Sequence, residues 1–227
     1  PSHAYDFTHV DDHIVVRNAK EGEKLILLDQ SELDLTEGDL IICDKEEPLG
    51  LAGIRGGRKD SILPETTKIV LEMADFDAGT IRKTGKRFDQ KTDASIRYEK
   101  GIDTQRIDQG ISLAIKLFKE IFPDCKVVAA GENYPTPTVQ SRIQVDTDLL
   151  YRRLGKTVSN EEVEDTLTRL GYEVEWNDRG FLATAPTWRS TGDVSIWDDV
   201  MGDLARIWSF ESFEAKPLPV NFENAVR

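Results

Sequence analysis

Tyr134-Pro-Thr-Pro-Thr138 decides how this chain is organised. Two prolines alternating with threonine fix φ, remove backbone donors and hold their neighbours extended, so no helix or central strand can run through. The sequence therefore divides into a first module over 1–134, a linker over 135–140, a second module over 141–213 and a tail over 214–227. On the N-terminal side, Ile107, Ile111, Ile115, Phe118 and Phe122 recur at helical spacing, which predicts a helix over 108–122 stopped by Pro123. Val127 to Ala130 reads as a return strand. On the C-terminal side, Asp146 or Thr147 opens a helix that ends at Leu154-Gly155. Ser159-Asn-Glu-Glu162 has the form of a capping box, with Val163, Leu167 and Leu170 as the buried stripe and Gly171 as the stop. Tyr172–Trp176 and Phe181–Ala185 flank Asn177-Asp-Arg-Gly180 as a hairpin. A last helix is expected from about Trp197 to Ile207.

Further out, the first module is mostly short strands. His13–Arg17, Lys24–Leu28, Leu40–Cys43 and Lys68–Met73 are apolar or β-branched runs separated by glycine and acidic turns. Asp77 can cap a helix through Thr84. The fold class is α+β: a mixed-sheet first domain followed by a smaller α+β domain. With 227 residues, 39% hydrophobic and 31% charged, the chain can bury a core in each.

Composition excludes several classes of function. No apolar run approaches ~18 residues, so no membrane span is expected, and no signal peptide is visible. The chain starts at Pro1, as a piece of a longer protein would. Only Cys43 and Cys125 are present, which fits a reducing cytoplasm. The net charge of −13 argues against broad nucleic-acid binding. Between Arg82 and Arg106, however, eight basic residues face four acidic ones. Any RNA contact should be local.

Four segments of the first module carry a resemblance. They are Pro1-Ser-His-Ala-Tyr-Asp6, Leu51-Ala-Gly-Ile-Arg-Gly-Gly57, Val70-Leu-Glu-Met-Ala-Asp-Phe76 and Lys91-Thr-Asp-Ala-Ser-Ile-Arg-Tyr-Glu-Lys-Gly-Ile-Asp103. In this order and spacing they resemble the composite third-and-fourth domain, the editing module, of the bacterial phenylalanyl-tRNA synthetase β subunit. Leu154-Gly155, Leu170-Gly-Tyr172, Pro186-Thr-Trp-Arg189 and Leu204-Ala-Arg-Ile207 are similar to the fifth domain that follows it. The resemblance covers essentially the whole chain, as an internal fragment.

The resemblance implies hydrolysis of mischarged Tyr-tRNA(Phe). Tyrosine differs from phenylalanine by one hydroxyl, which an apolar synthetic pocket rejects poorly but a second site can demand. Glu72 falls where the family accepts that hydroxyl, His3 on the editing histidine, Gly56 where backbone approaches a ligand closely, and Thr92 and Ala94 on the pocket wall. With no Ser-His-Asp or Cys-His set, direct attack by a positioned water is expected. The functional reading of the basic run, with Arg82, Lys83, Lys86 and Arg87, is a track for the tRNA acceptor end. The implied partners are tRNA(Phe) and the α subunit of a heterotetrameric cytoplasmic enzyme; ATP binding belongs to the α subunit. Asp193, Asp199 and Asp203 match acidic positions that hold Mg²⁺, although Gly202 stands where a further glutamate is usual. The fifth domain is also likened to winged-helix DNA-binding folds. Here residues 137–213 carry eight basic and fourteen acidic residues, which argues against DNA.

Plainer readings stand beside these. His3 can be a surface residue, Glu72 can face solvent by strand alternation, the glycines can serve only turns, the basic run can be a solvated helix face, and the aspartates can complement a helix dipole. The competing functions are a non-catalytic structural or tRNA-binding fragment and a freestanding trans-editing deacylase. The family places a Thr-Asn pocket segment upstream of His3, so weak or no hydrolysis is expected of residues 1–227 alone.

Overall fold

The computed structural model describes residues 1–59 and 61–213, in two compact units: the first runs from Pro1 to Thr138 and the second starts at Val139. The tail read from 214 onward lies outside the described residues. Among the described residues no helix is long and apolar enough to cross a membrane.

The first unit runs β1 (Ser2–Asp6), β2 (Val15–Asn18), β3 (Lys24–Ile26), β4 (Glu32–Asp34), β5 (Leu40–Cys43), β6 (Pro48–Leu51), β7 (Arg55–Gly56), β8 (Ile69–Met73), α1 (Ala78–Arg87), α2 (Asp93–Tyr98) and α3 (Arg106–Ile121). Strands β2, β5, β6 and β7 form one sheet in the order β2-β5-β6-β7, β3 pairs with β4, and β1 pairs with β8. Every ladder is antiparallel, where a mixed sheet was expected. Tight connections such as the one between β5 and β6 can only join antiparallel neighbours, since a parallel pair needs a crossover of a dozen residues or more. The core gathers Leu27, Ile41, Leu49, Leu51 and Ile81, with the ring of Tyr5 buried beside them.

Asp77 caps α1 by accepting from Thr80 N at 2.7 Å. Residues 127–130 form no strand, and Val128 is 93% exposed. A β-branched run with no ladder to join gains nothing from extending.

Asp44 closes the turn after β5. Its buried carboxylate accepts from the N–H groups of Glu46 and Glu47 at 2.9 Å, Asp11 at 3.2 Å, and from Lys59 Nζ at 3.1 Å. Burial alone would raise this carboxyl; the three N–H groups and the Lys59 ammonium outweigh it and hold the pKa at about 2. The ionised form is therefore bound by the fold. Its stabilisation is present above the unfolded value of 3.8 and is lost as pH falls toward about 2. Asp44→Ala should cost about 2 kcal/mol at neutral pH. Acid titration of unfolding midpoints should show variant and parent converging below pH ~4; a constant gap down to pH ~2 would contradict this assignment.

The second unit runs β9 (Arg142–Asp146), α4 (Thr147–Leu154), α5 (Asn160–Arg169), β10 (Glu173–Asn177), β11 (Gly180–Thr184) and α6 (Trp197–Ile207), with a three-stranded antiparallel sheet ordered β10-β11-β9. Asp146 caps α4 and Gly155 ends it at φ 69°. Ser159 accepts from Glu162 N, but only this half of the expected capping box forms. Val145, Leu150, Val163, Leu167, Phe181 and Leu204 make the core.

Candidate functional site

The site is built on the β1–β8 ladder. Antiparallel pairing sets His3 directly opposite Glu72 and Tyr5 opposite Val70. Side chains alternate along a strand, so His3, Tyr5 and Glu72 share one face. The His3 and Tyr5 rings meet edge to face, centroids 4.6 Å apart. The Tyr5 hydroxyl reaches diagonally across the ladder and donates a short hydrogen bond to Glu72 Oε2.

Above this face lies a small open cavity of about 70 Å³ whose lining includes His3, Glu72, Gly56, Phe76, Ala94 and Tyr98. Phe76 and Tyr98 form its aromatic wall, with centroids 5.3 Å apart. Tyr98 is locked by donating to Ala74 O at 2.8 Å. Gly53 makes that wall possible: at φ 66°, a Cβ there would press on Ile81, Tyr98 and Phe76 at 3.0–3.1 Å.

Gly56 is explained by what lies on it. A Cβ at this position would stand 2.5 Å from His3 Nε2 and closer still to Cε1. The space that glycine leaves over the β7 backbone is therefore filled by the His3 imidazole, its Cε1–Nε2 edge nearest. Burial lowers the His3 pKa, so the ring is neutral at neutral pH. Its Nε2 is buried without a hydrogen-bond partner. Glu72 is shifted the other way: burial raises its pKa and the Tyr5 hydrogen bond opposes that rise.

Ala94 lines the cavity, but Thr92 does not. The Thr92 hydroxyl donates to Ile54 O at 2.8 Å and accepts from Ser95 N at 3.1 Å, capping α2. It anchors the helix that carries Ala94 and Tyr98, and so shapes the wall from behind.

The cavity thus brings together a partly buried carboxylate, aromatic walls and a neutral imidazole. The family model described as "B3/4 domain" matches residues 1–123. The chain belongs to the B3/4 domain family. A second model, "tRNA synthetase B5 domain", matches residues 143–210. Curated relatives named phenylalanine–tRNA ligase beta subunit include one from Salinibacter ruber, 34% identical over 222 residues (97% of this chain, 26% of that protein). Another, from Solibacter usitatus, is 36% identical over 216 residues (93% of this chain, 28% of that protein). The chain thus spans about a quarter of the length of these relatives. A crystal structure of an N-terminal fragment of the phenylalanyl-tRNA synthetase β subunit from Pyrococcus horikoshii overlaps 89% of this chain and 58% of that one, at 14% identity and a TM-score of 0.48.

Within the B3/4 unit the basic residues of α1 divide by role. Arg87 pairs with the buried carboxylate of Asp39, donates to Thr36 Oγ1 at 2.7 Å and lies over the Phe88 ring. Arg82 donates to Glu99 O at 3.1 Å. These two tie α1 to its surroundings. Lys83 and Lys86 are exposed and make no ion pair among the described residues, which leaves their charges open.

The three aspartates of the B5 unit do not gather into a metal site. Asp193 accepts from Arg189 Nε at 2.6 Å. Asp199 accepts from Ser195 N at 2.8 Å and Ile196 N at 3.0 Å, capping α6. Asp203 is buried and accepts from Tyr172 OH at 2.6 Å and from both Arg189 and Arg206. Among the described residues, no group of three or more His, Cys, Asp or Glu is placed to hold a metal. The Mg²⁺ expectation for Asp193, Asp199 and Asp203 does not fit this geometry. Two guanidinium groups already neutralise the one buried carboxylate, and a divalent cation would have to displace them.

Sequence reasoning passed over Tyr5, Phe76 and Tyr98 as site residues. For Tyr5 a signal existed: strand alternation places residue 5 on the face of residue 3. The cross-strand partner that gives the face its meaning lies 67 positions away.

Proposed function

We propose that the B3/4 cavity is the editing site of a phenylalanyl-tRNA synthetase β subunit, binding the tyrosyl end of Tyr-tRNA(Phe) for ester hydrolysis. The observation that carries this reading is the partly buried Glu72 carboxylate, paired opposite His3 in the lining of an aromatic-walled cavity. An ionised carboxylate there accepts a phenolic O–H in a charge-assisted hydrogen bond. Phenylalanine would dehydrate it and return nothing.

The chemistry needs no protein nucleophile. The neutral His3 ring offers its unpartnered Nε2 to a water beside the ester carbonyl. Attack of that water breaks the acyl C–O bond, releasing tyrosine and restoring the terminal ribose hydroxyl. Lys83 and Lys86 are open to the phosphates of the acceptor end. In the whole protein the partners are the α subunit, which supplies ATP binding and aminoacyl-adenylate chemistry, and tRNA(Phe), in the cytoplasm. The B5 unit, acidic on balance, is the structural module of this arrangement.

Deacylation of Tyr-tRNA(Phe) by the full-length β subunit in its complex tests the reading. Glu72→Ala should slow it by roughly 10- to 100-fold, the loss of a hydrogen bond to a charged group. If the variant edits tyrosine as fast as the parent, Glu72 does not read the hydroxyl. Hydrolysis should also fall in acid: burial keeps His3 neutral to below its ordinary 6.5 and makes Glu72 lose its charge above its ordinary 4.5, and neutral His3 and ionised Glu72 are both needed.

A further inference from the structure

Tyr5 presents to Glu72 the same functional group that the proposed substrate would present. Its phenol is 1% exposed, its ring is held edge-on by His3, and its hydroxyl donates to Oε2. Oε1 of the same carboxylate takes no hydrogen bond from any described residue. A carboxylate accepts from two oxygens at once, so the protein's phenol and a ligand's phenol can be bound together.

We propose that Tyr5 is a specificity-determining positioning residue of the B3/4 cavity: its hydroxyl holds Oε2 and so leaves Oε1 as the fixed acceptor for a ligand's phenolic hydroxyl. This rests on the reading of Glu72 as the hydroxyl acceptor. Two consequences follow from the geometry. First, the carboxylate cannot rotate away from the cavity, because one oxygen is tethered from the neighbouring strand. The acceptor is in place before the ligand arrives, and no ordering is required on binding. Second, burial raises the Glu72 pKa and the Tyr5 hydroxyl opposes that rise, so the tethering donor favours the ionised form. A protonated Glu72 would lose the charge that separates tyrosine from phenylalanine.

Tyr5→Phe removes one oxygen atom and keeps the ring against His3, so the fold should survive. The experiment uses the 227-residue chain and free L-tyrosine and L-phenylalanine as probes, with affinities from NMR titration. The Glu72 carboxyl ¹³C shift is followed against pH in the same samples. The parent should prefer L-tyrosine, and Glu72→Ala should erase the preference. Tyr5→Phe should reduce it about tenfold and move the Glu72 titration up by about one pH unit. A preference intact in Tyr5→Phe, with the titration unmoved, would overturn the proposal while leaving Glu72 as reader. Equal weakening for both amino acids without a titration shift would show a structural effect only, and would also overturn it. A parent with no preference, unchanged by Glu72→Ala, would remove the reading of Glu72 and this inference with it.

Discussion

Asp203→Ala should lower the unfolding free energy of the B5 unit by about 3–5 kcal/mol, the usual consequence of removing one partner from a buried ion pair. Asp203 is 2% exposed and sits between the Arg189 and Arg206 guanidinium groups while accepting from Tyr172 OH. Taking it away leaves the largely sheltered Arg189 beside an unpaired phenol. Neither can turn to water without disturbing α6, which presents Val200 and Leu204 to the same core. Asp193→Ala removes an exposed partner of the same arginine and should cost less than 1 kcal/mol. All four tryptophans, at 176, 188, 197 and 208, lie in this unit, so urea melts followed by tryptophan fluorescence report on it selectively. Asp203→Ala melting within ~1 kcal/mol of the parent would refute the assignment. The same melts test the metal question. A bound cation would stabilise the fold by mass action, whereas added Mg²⁺ or a chelator should leave the midpoint where it is.

What the sequence made legible follows the range of the forces involved. Helix α6 begins and ends at the expected residues, α4 lies between its Asp146 cap and Gly155, and the hairpin β10–β11 turns at Gly180, whose φ is 132°. Each signal is complete within a dozen residues. Helix α2 was hidden because its apolar content is slight and its cap, Thr92, looked like a wall residue. The proposed strand at 127–130 failed for the opposite reason: local propensity was present and no ladder was in reach. In the cavity, resemblance led to His3, Glu72, Gly56 and Ala94, and the β1–β8 register explains why His3 and Glu72 meet. Tyr5 required that register, which no local pattern contains. The aspartates of the B5 unit show the same limit. Spacing of four placed Asp199 and Asp203 on one helix face, but Arg189, which claims Asp203, comes from outside the helix.

Gly56→Ala should leave the fold standing and reduce Tyr-tRNA(Phe) hydrolysis by about 100-fold, the scale of a catalytic group displaced by ~1 Å. The β7 backbone cannot retreat from the new methyl group. Leu28 N donates to Gly56 O at 3.1 Å, Gly57 N donates to Leu49 O at 2.6 Å, and Gly50 stands opposite Gly56 in the ladder. The imidazole of His3 must move, since the added Cβ would lie 2.5 Å from its Nε2. Two accounts of the glycine then make different predictions. If Gly56 serves a ligand by exposing its backbone, as the sequence suggests, the methyl group should harm binding even when His3 is absent. If it serves by seating His3, as the packing indicates, the damage should vanish in a His3→Ala background. The double-mutant cycle decides: His3→Ala and His3→Ala/Gly56→Ala should hydrolyse Tyr-tRNA(Phe) at equal rates, with thermal melts confirming that all four proteins are folded. A double variant at least tenfold slower than His3→Ala would return the glycine to the ligand. Equal rates would mean that the histidine's position, set by a missing methyl group on the neighbouring strand, is what Gly56 contributes to the site.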